Sequence, residues 1–139
     1  MTFDDWEETK AEAGIRPRLL ITGSRNWTNR TVIQRALREA WMSLGGTAEV
    51  ILVSGACPTG ADRMCEEVWE QSGLTVERHP ADWNGPHRKR AGFVRNAEMV
   101  ALGADLCVAF HKANSRGTAH TIHLCNTTGI PVVVYREGQ

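Results

Sequence analysis

The chain has 139 residues, 42% of them hydrophobic and 23% charged, the composition of one ordinary soluble domain. Lysine plus arginine and aspartate plus glutamate balance at 16 each, so bulk charge argues neither for nor against nucleic acid. The first apolar run, Leu19-Leu20-Ile21, is too short for a signal core or a membrane span, and Cys57, Cys65, Cys107 and Cys125 form no C-x-x-C pair. A cytoplasmic protein with reduced thiols and no membrane partner is expected.

Residues 3–13 have helical composition with acidic residues in the first turn, where they favour the helix dipole, and Gly14 and Pro17 end that segment. Residues 1–17 are therefore expected to be an extra N-terminal helical extension to a domain spanning 18–139. The run 18–22 is unbroken in hydrophobicity, as a strand covered on both faces should be. From Asn29 to Leu44, the residues Val32, Ile33, Ala36, Leu37, Ala40, Trp41 and Leu44 recur at helical spacing, and Gly45-Gly46 stops the helix.

The unit then repeats. A second strand is predicted at 50–53, a helix at 61–72, and a weaker alternating strand at 74–78. A polar loop, 80–90, leads to a helix over 91–103 with Phe93, Ala97, Val100 and Ala101 turned inward. Strand 106–110, helix 118–128 and strand 131–135 complete the chain. Trp41 and Trp69 fall on helical core stripes, whereas Trp6 and Trp27 have no pattern that places them.

Five strands alternating with helices predict an α/β, three-layer, Rossmann-like fold with a parallel sheet. Connections usually run about two to six residues, but the loop after the third strand is longer, as a reversal of winding requires. The predicted order is 3-2-1-4-5, with the flavodoxin-like order 2-1-3-4-5 as the alternative. Ligands of open parallel sheets bind beyond the carboxyl ends of the strands at the switch point, here between strands 1 and 4.

Three turns of similar character fall at that edge. Gly23 permits a tight turn, Ser24 adds a hydroxyl and Arg25 a guanidinium that can clamp a phosphate, although a plain turn with a solvated Arg fits equally. Ser54-Gly55 and the helix opening at Gly60-Ala61-Asp62 allow close approach of a ligand, with Asp62 either bonding a ribose hydroxyl or satisfying first-turn amides. Arg116-Gly117-Thr118 opens a further helix, whose free amides suit an anion; Thr118 as a simple N-cap is the plainer reading. Asp82-Trp83 begins the long loop, and Trp83 there either stacks on a nucleobase or plugs the crevice. The run His87-Arg88-Lys89-Arg90 is a solvated charge cluster or a phosphate-facing lid, and Arg95, early in the next helix, needs an anionic partner if buried. His120 and His123 share a helix face with Cys125 nearby, but no carboxylate or third His falls at a matching spacing; no nucleophile motif is present, and no metal or cofactor is expected.

Gly23-Ser24-Arg25, Val53-Ser54-Gly55 through Gly60-Ala61-Asp62-Arg63, Ala81-Asp82-Trp83, Arg95-Asn96 with Met99, and Arg116-Gly117-Thr118 together resemble the YspA/cpYpsA-related branch of the SLOG superfamily. The resemblance spans about residues 18 to 135. It implies a Rossmann-like domain that binds a nucleotide or nucleotide-derived ligand, ADP-ribose-like or a nucleoside monophosphate, as a sensor or sequestering module. Members occur in bacteria and their phages. The Lonely Guy phosphoribohydrolases are enzymatic relatives, and Arg95 is similar in position to their catalytic Arg. Their loop supplies a catalytic Glu, whereas Thr121 stands at that place here and cannot activate water.

Three functions remain open at this point. The first is a nucleotide-derivative binding module using Gly23, Ser24, Arg25, Ser54, Gly55, Gly60, Asp62, Trp83, Arg95, Asn96, Arg116, Gly117 and Thr118. The second is an N-glycosidase acting on a nucleotide, with Arg95 and either Asp62 or Asp82 carrying the chemistry. The weakest is a nucleic-acid-binding or processing factor built on the 87–95 basic cluster. Whether the chain forms a homo-oligomer is left open.

Overall fold

The computed structural model describes residues 15–137. In chain order the elements are β1 (Arg18–Gly23), α1 (Arg30–Ser43), β2 (Ile51–Ser54), α2 (Ala61–Gln71), β3 (Val76–Arg78), a 3-10 turn (Arg88–Arg90), α3 (Ala91–Ala101), β4 (Leu106–Lys112), α4 (Arg116–Thr128) and β5 (Val132–Glu137). The N-terminal helix expected over 3–13 lies outside the described residues.

All four pairings in the sheet are parallel and the strand order is β3-β2-β1-β4-β5. β3 pairs with β2 and not with β1, which excludes the flavodoxin-like alternative. The chain winds outward through β1, β2 and β3, then crosses by the 79–90 segment to lay β4 against the other side of β1. Leu20 lies between Val53 and Cys107 in register, at the point where the winding reverses.

The strands are apolar on both faces because two helical layers cover them. On one side Leu19, Ile21, Leu52, Val108 and Phe110 pack with Ile33, Ala36, Leu37 and Ala40 of α1 and Cys65 and Trp69 of α2. On the other, Leu20, Val53 and Cys107 pack with Met99 and Val100 of α3 and Cys125 of α4. Neighbouring strand residues therefore feed opposite layers, and each fully buried Leu or Ile contributes roughly 1.5–3 kcal/mol. Trp27, which no periodicity placed, is 1% exposed; it stands edge-on to Phe110 at 5.4 Å and donates its indole N–H to the Asn29 carbonyl at 2.9 Å.

Local chemistry sets the helix ends. The Asn29 side chain accepts from the Val32 amide at 3.1 Å and caps α1. Ser115, not Thr118, caps α4, starting that helix two residues before its predicted position. Gly129 closes it in the left-handed conformation, φ 84°. Trp69 is buried as expected, while Trp41 is only half-buried and bonds its indole N–H to the Thr47 carbonyl.

Candidate anion-binding cleft

The carboxyl ends of β1 and β4 bound a cleft of about 500 Å³, walled by the loops that follow β1, β2 and β4 and by the first turns of α3 and α4. Its floor is tied together by Ser24. That residue's amide donates to the Phe110 carbonyl at 2.9 Å, and its hydroxyl accepts from the Lys112 amide at 2.8 Å and donates to the Lys112 carbonyl at 3.2 Å. Gly23 is required beneath it, since a Cβ there would lie 2.3 Å from the Ala61 Cβ and push α2 off the sheet.

Ser54 and Gly60 stand behind the wall and not in it. The Ser54 hydroxyl is fully buried, donates to Glu66 at 2.6 Å and accepts from the Ala56 amide at 3.1 Å. Gly60, at φ 75°, lets two loops cross, because a Cβ would sit 2.4 Å from the Arg25 carbonyl.

Arg95 is the central cation. Its side chain is carried on α3, the residue is 8% exposed, and its guanidinium lies across Gly55, where a Cβ would come within 2.8 Å of Nη1 and 2.9 Å of Cζ. Nε donates to the Asn96 side chain at 2.8 Å, and Nη1 donates to the carbonyls of Gly55 and, at 3.4 Å, of His79. Nη2 has no partner among the described residues, and no carboxylate among them lies within 4.0 Å. Asn96, also buried, donates through Nδ2 to the Gly117 carbonyl at 3.3 Å and so joins α3 to the first turn of α4.

This arrangement corrects the face expected for α3. Its inward residues are Ala91, Arg95, Asn96, Met99 and Val100, whereas Ala97 and Ala101 face out and Phe93 is 40% exposed, edge-on to His120. The apolar stripe alone misses this because two of the buried positions are polar.

The two helix N-termini at the cleft behave differently. In α4 the Ser115 hydroxyl accepts from the Thr118 amide at 3.4 Å, and the amides of Arg116 and Gly117 have no acceptor among the described residues. A Cβ on Gly117 would meet nothing within 4 Å, so this end is open to an anion. The N-terminus of α2 already holds one. Asp62, 4% exposed, accepts from the Cys57 amide at 3.1 Å. Burial pushes its carboxyl up to about 6, against the opposing pull of the Cys57 hydrogen bonds and the Arg95 charge; Glu66 adds to the rise. The Cys57 thiol beside it is raised by burial and then by Asp62.

Trp83 forms the outer lip, 47% exposed. Its ring rests on Gly92, where a Cβ would lie 3.1 Å from the indole, and the Arg25 guanidinium sits 5.4 Å from the ring centre. Lys89 reaches the same rim from the 3-10 turn. Asp82 is exposed and does not line the cleft, so of the two candidate carboxylates only Asp62 meets Arg95 there. Thr121 is fully buried and donates to the Gly117 carbonyl at 3.3 Å, away from the cavity lining.

Gly23, Ser24, Arg25, Gly55, Asp62, Trp83, Arg95, Asn96, Arg116, Gly117 and Thr118 thus share one cavity. Among them and Lys89, the cations Arg25, Lys89, Arg95 and Arg116 have no carboxylate within 4.0 Å among the described residues. Asn26, Cys57, Lys112 and Asn114 also line it, although sequence reasoning named none of them as a site residue and reached Lys112 and Asn114 only as part of the loop flanking the crevice. Cys57 was legible only as a neighbour of Asp62. Lys112 escaped because β4 runs two residues beyond its predicted end; its Nζ pairs with Glu137 at 3.0 Å.

A family model described as "YspA, cpYpsA-related SLOG family" matches residues 17–85. The chain is also similar to the "Gene 61 protein" of Mycobacterium phage D29, 40% identical over 125 residues that cover 86% of this chain and 97% of that protein. No solved structure matches.

Proposed function

The chain belongs to the YspA, cpYpsA-related SLOG family, and from that footing we propose that its cleft binds a nucleotide or nucleotide-derived ligand, as a sensor or sequestering module. Phosphate sits against the Arg116 and Gly117 amides and the Arg95 guanidinium, and the base stacks on Trp83. Asp62 accepts from a ribose hydroxyl. The observation that carries this reading is Arg95: a buried guanidinium with two unspent N–H groups and no carboxylate within 4.0 Å among the described residues. A buried cation is costly unless an anion compensates it, and here the open place for that anion is the cavity.

The test is thermal-shift screening against nucleoside monophosphates and ADP-ribose derivatives. A true ligand at a hundred times its dissociation constant adds about 2.7 kcal/mol of stability. The shift should vanish in Arg95→Met. A panel in which no compound moves the melting point would remove the basis of the proposal.

A second reading, N-glycosidic cleavage of a nucleotide, is favoured by one observation. Asp62 is a cleft carboxyl whose proton is exchanged near neutral pH, the range in which a general acid or base works. Release of free base from nucleoside monophosphates, abolished in Asp62→Asn, would establish it; intact substrate after prolonged incubation would leave binding alone.

A further inference from the structure

We propose that the cleft takes up an anionic ligand together with one proton, held on the Asp62 carboxyl. This deepens the binding reading above and rests on it. It follows from where Asp62 is placed. The residue lines the same cavity as Arg95 and is 4% exposed, so little water is available to shield it from a charge entering that space.

The groups facing Asp62 come from three directions. Cys57, from the loop after β2, contributes its amide and thiol; Cys65 and Glu66 stand one turn further along α2; Arg95 approaches from α3. Arg25, from the loop after β1, acts on Cys57 and belongs to the same electrostatic neighbourhood. Only the Arg95 charge and the Cys57 hydrogen bonds favour the ionised carboxylate, and burial outweighs them, leaving the group poised at about 6.

An arriving phosphate alters this balance in one direction. It claims the Arg95 charge that Asp62 shares, expels water and adds negative charge beside the carboxylate. Each effect favours the protonated acid, whose O–H can donate a hydrogen bond to a ligand oxygen, which the ionised form cannot, while its carbonyl oxygen still accepts from the ribose hydroxyl. Linkage then requires affinity to fall as pH rises above the free-state value, by up to about tenfold per pH unit while a full proton is being taken up.

The probe is sulfate, which keeps its two charges across the range and so contributes no titration of its own. Carbon-13 NMR of the aspartate carboxyl reads Asp62 directly, with sodium chloride of equal ionic strength as the reference. The expected result is titration near 6 in chloride, a clear rise in sulfate, and a sulfate affinity that weakens between pH 6 and pH 8. Asp62→Asn should bind with an affinity flat over that range and at least as tight as the native protein at pH 8. If sulfate binds with the same affinity at every pH, the coupling fails while the binding reading stands. If Asp62 titrates as an ordinary exposed carboxyl, the coupling also fails, whatever the variant does. If sulfate binds at no pH, the cleft is not an anion site and both readings fall.

Discussion

Two regions of this molecule carry many charges, and they treat them in opposite ways. On the β2–β3 side, cations are matched. Arg18 makes a two-pronged contact with Glu77 at 2.9 and 2.7 Å, His79 meets the same carboxylate at 2.6 Å, and Arg78 bridges Glu66 and Glu70. Arg30 and Arg63 share Glu67 on α2. At the β1–β4 cleft, Arg25, Lys89, Arg95 and Arg116 have no such partners among the described residues. Backbone strain follows the same division. Among the described residues, the non-glycine positions at positive φ, Ala56, Arg88 and Ala113, fall in the segments that follow β2, β3 and β4, at the carboxyl ends of the strands. The first region uses its charge to hold the fold; the second keeps it available.

The sharpest way to break that comparison is a reciprocal pair of substitutions. Arg95→Met should weaken nucleotide binding on the order of 100-fold, from the loss of charge-assisted hydrogen bonds, with a smaller effect on melting temperature. Arg18→Met should do the reverse, lowering stability by about 1–3 kcal/mol through the stranded Glu77 and Gly103 acceptors while binding persists. Isothermal titration calorimetry and urea unfolding on both variants decide it. Equal losses of binding in the two would erase the distinction.

Next in size is pH, where the two regions pull in opposite directions. The Asp62 carboxyl is raised from 3.8 to about 6, so its proton stabilises the fold below its unfolded value. That contribution is lost as pH rises through about 6, worth up to about 3 kcal/mol. Glu77 is held down to about 2, chiefly by the Arg18 hydrogen bonds. Its contribution is present above the ordinary carboxylate range and disappears as pH falls towards 2. Urea unfolding from pH 3 to pH 8 should show both slopes, and Asp62→Asn should flatten only the upper one.

Steric substitutions sharpen the picture further. Gly55→Ala places a Cβ within 2.8 Å of the Arg95 guanidinium, so it should displace that group and reduce affinity about tenfold, at a stability cost of about 1 kcal/mol. Competition binding against the native protein measures it. The smallest effect is expected from Ala113→Gly, which relieves a left-handed alanine at φ 51°. A gain of a few tenths to about 1 kcal/mol in unfolding free energy is expected, partly offset by added freedom in the unfolded chain.

Much of this was readable before any coordinates. The length of the 80–90 connection implied the reversal of winding, and the Gly and Ser residues after β1, β2 and β4 marked the edge where the cleft lies. What remained hidden was whatever depended on a partner distant in the chain. Nothing local distinguishes Ser24, whose hydroxyl is spent on β4, from Ser54, whose hydroxyl is spent on Glu66. Helical periodicity turned Phe93 inward because it assumes that buried faces are apolar. The structure buries Arg95 and Asn96 there, since Gly55 leaves room for a flat guanidinium and carbonyls supply its acceptors. Trp27 had no repeat to belong to, yet it fills the space beside Phe110.

The contacts of Ser24 with β4 have a mechanical consequence. By clasping Phe110 and Lys112 at once, this single residue makes the ends of the two central strands move as one body. A guest that pulled on the loop after β4 would pull on Ser24 and, through the chain, on the neighbouring Arg25. A bulkier visitor would have to break these bonds to widen the base of the crevice, which leaves discrimination among candidates to the side chains around its mouth.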